Sequence, residues 1–378
     1  MSETKQTSDA RSTPRPIATG GDPFGTHRAL EPKGSLPQPA KRVDNDFTRL
    51  FEGELLLQVE TLNVDAASFR QMEEAAGGDG ESGGGEKGGE APGHGAGLAV
   101  AKAVLETVRA RGKQHNPVTG SGGMLLGRVL QIAPGRSDAI AVGDRIASLV
   151  SLSLTPLRID RVRAVRPTSA QIDIDGEAVL FASGAYAKMP GDLPERLALA
   201  VLDVAGAAPQ VARLVKPGSS VLVLGAGGKS GILCAAEARR AGGKTARVIG
   251  IESHEPYAEE LRALEICDEV VSADARDPVA VRKAVLAANG GREVDVSFSC
   301  VNVADTEMAA ILCTRERGVA YFFAMSTSFT KAALGAEGVG KDIDLVIGNG
   351  FATGHAEHTL AMMKTMPAVR AVFEARYG

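Results

Sequence analysis

The sequence predicts an α/β protein in two parts: a small β-barrel, then a doubly wound parallel sheet with helices on both faces. Three observations carry that reading. Residues 115–160 hold short Val/Ile/Leu runs cut by Gly, Pro and Asp, the texture of barrel strands joined by tight turns. After Pro194 fully apolar runs alternate with helical stretches, which is how a parallel sheet buried on both sides reads. At 378 residues the chain is long for one domain and ordinary for two.

Residues 1–45 are rich in Pro, Gly and charge without apolar periodicity, and are expected to form an arm along the surface. Globular sequence starts near Phe47; FEGELLLQVETLNV has strand character, with a turn and short helix over 63–72. Residues 77–97 contain eleven glycines in 21 positions and cannot offset the entropy of ordering, so they read as a floppy insertion. A helix follows over 98–111, with Val100, Val104 and Val108 on one face. Residues 180–190 close the barrel region. Six strands are then expected at 221–224, 247–251, 269–272, 294–299, 319–325 and 343–347, and a last helix at 355–366. The expected division is an arm (1–45), a barrel domain (46–192) carrying the insertion, a parallel-sheet domain (193–347), and a tail (348–378) returning to the barrel domain.

The formal charge of −4 argues against nucleic acid as a partner, since such a surface needs an excess of Lys and Arg. No run is long and apolar enough for a membrane span, and residues 1–16 lack a hydrophobic signal core. Cys234, Cys267, Cys300 and Cys313 show no CxxC spacing, so neither a disulfide scaffold nor a zinc cluster is expected, and a cytoplasmic location is.

The strongest motif is SSVLVLGAGGKSGILCAAEARRAGG. A strand runs into Gly225, Ala226, Gly227, Gly228, Lys229, Ser230 and Gly231, and then into an Ala-rich helix. Gly225 makes the turn, Gly227 and Gly228 let backbone approach a diphosphate, Gly231 lets helix pack on strand, and the helix N-terminus supplies the N–H donors. A Walker A loop is excluded, because Val223 stands where its first glycine belongs. The next strand ends in Glu252, followed by Ser253. An acid there accepts hydrogen bonds from the adenosine ribose and favours NAD, although Lys229, Arg247 and His254 lie close enough in sequence to keep NADP as the alternative. These are the marks of a Rossmann dinucleotide domain. Cys300, Val301 and Asn302 end the fourth strand, and Met325 and Ser326 the fifth, where the nicotinamide half is expected.

In their order, Leu62-Asn63-Val64-Asp65, Gly143-Asp144-Arg145-Ile146, Ala185-Tyr186-Ala187 and Val215-Lys216-Pro217-Gly218 resemble the medium-chain dehydrogenase/reductase family. That resemblance implies a GroES-like β-barrel catalytic domain beside the Rossmann domain. Segments 25–40, 111–129, 146–160 and 349–363 are more specifically similar to a diamino-acid dehydrogenase branch of that family. This implies NAD(P)-dependent oxidative deamination of a small-molecule diamino acid, L-erythro-3,5-diaminohexanoate, to 5-amino-3-oxohexanoate and ammonia in lysine fermentation. The zinc ligands of metal-dependent relatives are replaced here, with Asn63, Gly123 and Met124 at the first positions, so a zinc-free site is expected. His355 and His358 sit at metal-compatible spacing but lack a third ligand.

A zinc-free amine oxidation needs the amine held neutral, a base, and C3 oriented toward the cofactor. Asp203, an isolated carboxylate in an apolar stretch, falls near the third metal-ligand position of the relatives and is the leading catalytic candidate, with a helix cap as its bland alternative. Asn63 and Asp65 match the loop that lines the pocket in zinc-free relatives; turn-making would equally explain them. His115, Asn116, Thr119 and Ser121, on a polar loop, and Ser151 and Ser153, on one face of a Ser-rich run, are candidate substrate contacts. A zinc-free quinone or enoyl reductase and a non-catalytic dinucleotide-binding regulator are the competing readings. The apolar sixth strand would lie at an open sheet edge, so a homodimer is expected.

Overall fold

A computed structural model of the chain describes residues 13–64, 69, 72, 94–116, 120, 122–348 and 350–377. Two compact units divide the chain, Met1–Pro190 and Gly191–Gly378.

In the first unit β1 (Ile17–Ala18), β2 (Ala29–Glu31) and β3 (Arg42–Val43) are short strands of the arm, and β4 (Leu50–Phe51) is a short strand just after it. They precede β5 (Leu55–Asn63), α1 (His94–Arg111), β6 (Met124–Ile132), β7 (Arg145–Ser148), β8 (Leu157–Arg166), β9 (Gln171–Leu180) and β10 (Tyr186–Lys188). The six longer strands make one antiparallel sheet ordered β10-β7-β6-β5-β9-β8, the GroES-like barrel sheet. Its apolar face forms one core from Leu55, Leu57, Val59, Leu125, Val129, Ile172 and Ile174, onto which α1 lays Val100, Val104 and Val108. Each such side chain taken fully from water contributes about 1.5–3 kcal/mol. The basic strand β8 is matched against acids of β9: Arg158 meets Glu177 at 2.8 Å, Arg161 meets Asp175 at 2.6 Å, and Arg166 pairs with Asp173. These cross-strand pairs help fix the register.

Two expectations for this unit need correction. The helix starts at His94, inside the glycine-rich stretch expected to be floppy. The arm is also more than a surface strip, because Arg28 is fully buried. Its guanidinium grips both oxygens of Glu54, at 2.6 and 2.8 Å, and donates to the carbonyls of Asp46 and Arg49. Burial raises the Glu54 pKa, but the bonds from Arg28 and His27 and the Arg28 charge outweigh it and hold the carboxyl below its ordinary value. Lys113, also fully buried, donates to the carbonyls of Pro37 at 2.5 Å and Gln38 at 2.9 Å. Composition hid this anchoring, because single buried cations leave no periodic signal.

The second unit comprises α2 (Glu195–Leu202), α3 (Ala207–Leu214), β11 (Ser220–Leu224), α4 (Lys229–Gly242), β12 (Arg247–Glu252), α5 (Glu255–Ala263), β13 (Glu269–Ser272) and α6 (Pro278–Ala288). It continues with β14 (Val294–Ser299), α7 (Glu307–Cys313), β15 (Thr314–Phe322), α8 (Phe329–Gly338), β16 (Asp344–Ile347), α9 (His355–Thr365) and α10 (Pro367–Tyr377). Its six strands are all parallel in the order β13-β12-β11-β14-β15-β16. That is the doubly wound Rossmann order, with the crossover point beside β11. Leu222, Leu224, Ile249, Ile251, Val281, Val285 and Phe322 lie in its core.

The tail helices belong to the second compact unit, Gly191–Gly378. Helices α9 and α10 pack on α2, α3 and α4, with Thr359 Oγ1 donating to Ala205 O at 2.8 Å. The cause is apolar: α2 buries six consecutive residues, 197–202, and α9 brings Leu360, Met362 and Met363 to that side of the unit. No single helix among the described residues is long and apolar enough to cross a membrane; α2 and α3 would qualify only as a pair, and that pair is bent by 52°.

Candidate active site

The glycine loop is built by the end of β11. The Gly225 and Ala226 N–H groups both donate to Ile251 O, at 2.9 and 3.0 Å, tying the turn to β12. Gly225 has φ +69°, a left-handed conformation that glycine adopts without strain. A Cβ on Gly231 would lie 2.0 Å from Gly225 O, so only glycine lets α4 start this close to the turn. No side chain caps the first turn of α4. The backbone donors of Lys229, Ser230 and Gly231 therefore face outward at the positive end of a 14-residue helix, which suits a phosphate.

Around Gly227 the structure differs from the simple expectation of open space. Its absent side chain leaves room already taken by Tyr257 Cβ, 2.7 Å from the would-be Cβ, and by Glu252 Oε2, at 2.9 Å. The Glu252 carboxylate, only 7% exposed, accepts from Gly227 N at 3.0 Å and from His254 N at 3.0 Å. Each carboxylate oxygen keeps further lone-pair capacity, so ribose hydroxyls fit the same group. Gly228 remains open, with Gly225 O at 3.3 Å as its nearest neighbour. Ser253 is exposed directly after the acid. Arg247 is removed from this end: it starts β12, and its Nε donates to Ala288 O at 2.6 Å.

Asp203 is not isolated. It follows α2 at the break before α3, and its Oδ2 accepts from Lys229 Nζ at 2.8 Å. Burial alone would lower the Lys229 pKa, but the Asp203 charge outweighs it and raises the ammonium above its ordinary value. The lysine also stands 5.2 Å from the Tyr377 ring. A candidate catalytic carboxylate and a candidate cofactor cation thus form one ion pair at the start of α4.

The remaining cofactor candidates gather at the same edge. Cys300 N donates to Leu224 O at 2.9 Å, and Val301 Cγ2 lies 3.1 Å from a would-be Cβ on Gly225. Asn302 is exposed, and Met325 is 79% exposed. Ser326 Oγ donates to Val301 O and Val303 O at 3.1 and 3.2 Å, joining the loops after β14 and β15. Cys300 Sγ donates to Cys234 Sγ at 3.6 Å. That bond and burial push the Cys234 thiol well above its ordinary pKa, which suits packing and not nucleophilic work.

In the first unit the pair Gly122-Gly123 is crowded by the segments that carry Gln114, Ser153 and Asn63. A Cβ on Gly122 would meet Ser153 N at 2.6 Å and Gln114 O at 2.7 Å; on Gly123 it would meet Asn63 O at 2.1 Å. Three separate segments therefore meet there. Ser151 Oγ and Ser153 Oγ are 2.8 Å apart, and Asn63 Oδ1 accepts from Gln171 Nε2 at 3.3 Å. Asn116 is buried. Gln114 Oε1 and His115 Nδ1 are buried without a hydrogen-bond partner among the described residues. Burial, with the charges of Lys113 and Arg111, lowers the His115 pKa, so its ring is neutral near pH 7. Asp65, Thr119 and Ser121 lie outside the described residues. Sequence reasoning missed Gln114, Gln171, Tyr257 and Arg376; an orphaned amide oxygen or a guanidinium from the far C-terminus has no local motif.

His355 and His358 serve packing contacts: His355 Nδ1 lies 2.7 Å from Ala352 O, and His358 Nε2 lies 3.3 Å from Glu237 Oε2. Among the described residues no three His, Cys, Asp or Glu side chains cluster for a metal.

The family profile described as L-erythro-3,5-diaminohexanoate dehydrogenase N-terminal domain matches residues 27–84 and 91–190. A protein named L-erythro-3,5-diaminohexanoate dehydrogenase from Acetoanaerobium sticklandii is 51% identical over 360 residues, covering 94% of this chain and 99% of its own. One of the same name from Fusobacterium nucleatum is 49% identical over 360 residues, with the same coverage. Among solved structures, Escherichia coli quinone oxidoreductase complexed with NADPH aligns with a TM-score of 0.50 at 16% identity, over 84% of this chain and 80% of its own. At that identity what is shared is the fold.

Proposed function

The chain belongs to the L-erythro-3,5-diaminohexanoate dehydrogenase family, and from that premise we propose that it is an oxidoreductase using a nicotinamide dinucleotide to deaminate L-erythro-3,5-diaminohexanoate at C3. Hydride leaves C3 for the oxidised cofactor, water adds to the resulting iminium carbon and the C–N bond breaks. The products are therefore 5-amino-3-oxohexanoate, ammonia and reduced cofactor, a step suited to lysine fermentation. The observation that carries the dinucleotide half is the pairing of Glu252 with the Gly227 amide beside the uncapped start of α4. The substrate half rests on kinship along nearly the whole chain.

In this reading the amides of Lys229, Ser230 and Gly231 receive the diphosphate and Glu252 receives the adenosine ribose hydroxyls. A 2′-phosphate would meet the fixed negative charge of Glu252, and Arg247 is engaged at the other end of its strand, which supports NAD over NADP. Bound nicotinamide supplies the hydride acceptor. Neutral His115, with Nδ1 unpartnered among the described residues, accepts a hydrogen bond from a substrate ammonium group. Asn116 and the Ser151–Ser153 hydroxyl pair supply further polar contacts. Asn63 is oriented through Gln171. Asp203, in contact with Lys229 Nζ at 2.8 Å, is suited to place that lysine at the head of α4. A zinc-free site is supported by Asn63, Gly123 and Met124 at the first ligand positions, none of them a thiolate, imidazole or carboxylate, and by the engagement of Asp203, near the third, with Lys229 Nζ. Four free cysteines suit a reducing cytoplasm.

The test is absorbance at 340 nm with purified protein, NAD or NADP, and the diamino acid, with ammonia assayed in parallel and a chelator in one arm. Reduction of NAD coupled to ammonia release, insensitive to the chelator, is expected. Oxidation of NADPH by quinones or enoyl thioesters, with no response to the diamine, would replace this reading with a reductase.

A further inference from the structure

We propose that the last turn of the chain is a working part of the dinucleotide site, with Arg376 as the positioning residue that holds the glycine loop in its phosphate-receiving shape. This rests on the dinucleotide reading of that loop given above.

Gly227 is followed by a second glycine, and a Gly-Gly step has little intrinsic preference to hold its peptide planes. Here both sides of Gly227 are pinned. Its N–H goes to Glu252 Oε2 at 3.0 Å, and its carbonyl accepts from Arg376 Nη1 at 2.7 Å. Arg376 is itself held on two sides. Its second terminal nitrogen pairs with Glu260, and its guanidinium carbon lies 4.0 Å from the centre of the Tyr257 ring. Tyr257 and Glu260 are both on α5, which begins three residues after Glu252. The side chain of Arg376 is only 14% exposed, so these contacts leave it little freedom. The next residue, Tyr377, sets its ring 5.2 Å from Lys229 Nζ, the first residue of α4. The final turn of α10 therefore joins the glycine loop, the helix behind the ribose-binding acid, and the head of the phosphate-binding helix.

Charge gives the arrangement a second effect. Glu252 and Glu260 place two carboxylates beside a loop that must accept a diphosphate, and Arg376 is the cation set between loop and acid. Removing it releases the Gly227 carbonyl and leaves that negative field less compensated. A planar guanidinium serves both partners at once; a lysine ammonium keeps the charge but not the fork.

The experiment is equilibrium binding to the full chain, by fluorescence titration with NADH and calorimetry with ADP-ribose and adenosine, for wild type, Arg376→Ala and Arg376→Lys, each with a thermal melt. Arg376→Ala is expected to weaken NADH and ADP-ribose about tenfold or more while changing adenosine, which lacks the diphosphate, less than about twofold. Arg376→Lys is expected to recover part of that loss. Equal NADH affinity in Arg376→Ala and wild type, or a lower melting temperature with unchanged affinities, overturns the proposal and leaves the dinucleotide reading standing. If Arg376→Ala does not fold, NADH and ADP-ribose affinities of Arg376→Lys equal to wild type overturn it equally. Failure of wild type to bind any dinucleotide removes the underlying reading and the proposal with it.

Discussion

Gly231→Ala isolates the contact on which the phosphate-binding geometry depends. The added Cβ would lie 2.0 Å from Gly225 O and 2.8 Å from Ala226 Cα, whereas ordinary contact begins near 3.4 Å, so loop and helix must part by 3.4 − 2.0 = 1.4 Å. Both opposing atoms are backbone, and no side chain can rotate to absorb the shift. Overpacking costs about 1–3 kcal/mol, and a backbone-on-backbone clash belongs at the upper end. For a unit of this size a loss of about 3 kcal/mol corresponds to roughly 6–12 °C in melting temperature. The N–H groups at the head of α4 move with the helix, so NADH affinity should fall about tenfold or more, equivalent to about 1.4 kcal/mol. Circular dichroism melts and NADH fluorescence titration read the two effects separately. Gly228→Ala is the matched control: Gly228 has φ −72° and its nearest neighbour stands at 3.3 Å, so the fold should tolerate a methyl that nevertheless crowds a bound diphosphate. A Gly231→Ala protein that melts and binds NADH like wild type would refute the close-approach reasoning.

Three further outcomes are expected. Arg28→Ala strands the Glu54 carboxylate, 1% exposed, without its cation, and should cost about 3–5 kcal/mol in urea unfolding; a change below about 1 kcal/mol would mean the arm is not anchored by this pair. Burial and the Arg111 charge lower the Lys113 pKa to about 8 from an ordinary 10.5, so between those values the unfolded chain binds more protons and stability rises with pH. That contribution is complete above pH 10.5 and lost as pH falls through about 8; Lys113→Met should lack the rise, and parallel wild-type and variant curves would contradict it. Among the described residues strand β16 is one of the two edges of its sheet, with Ile347 52% exposed and Phe329, Leu334 and Phe351 exposed nearby in sequence, so light scattering should report a dimer and Ile347→Lys should shift it toward monomer.

Much of this protein was legible as a string. The glycine spacing at 225–231, the acid at 252 and the alternation of apolar strands with helices are local signals, because a tight turn, a strand end and a helix each depend on neighbours within a few residues. Val100, Val104 and Val108 announced a helix face by period, and the structure buries all three. What period and spacing could not reveal are the pairings between residues far apart. Asp203 read as isolated because its partner, Lys229, lies 26 positions on. The hold of Arg376 on Gly227 spans 149 positions, and that of Arg28 on Glu54 depends on a buried site with no recurring pattern. That the tail helices cover α2, α3 and α4 was equally illegible, because an amphipathic helix shows that an apolar face must be covered but not which surface covers it. Hydrophobic burial is non-directional, so a sequence states the demand for a partner while packing selects one.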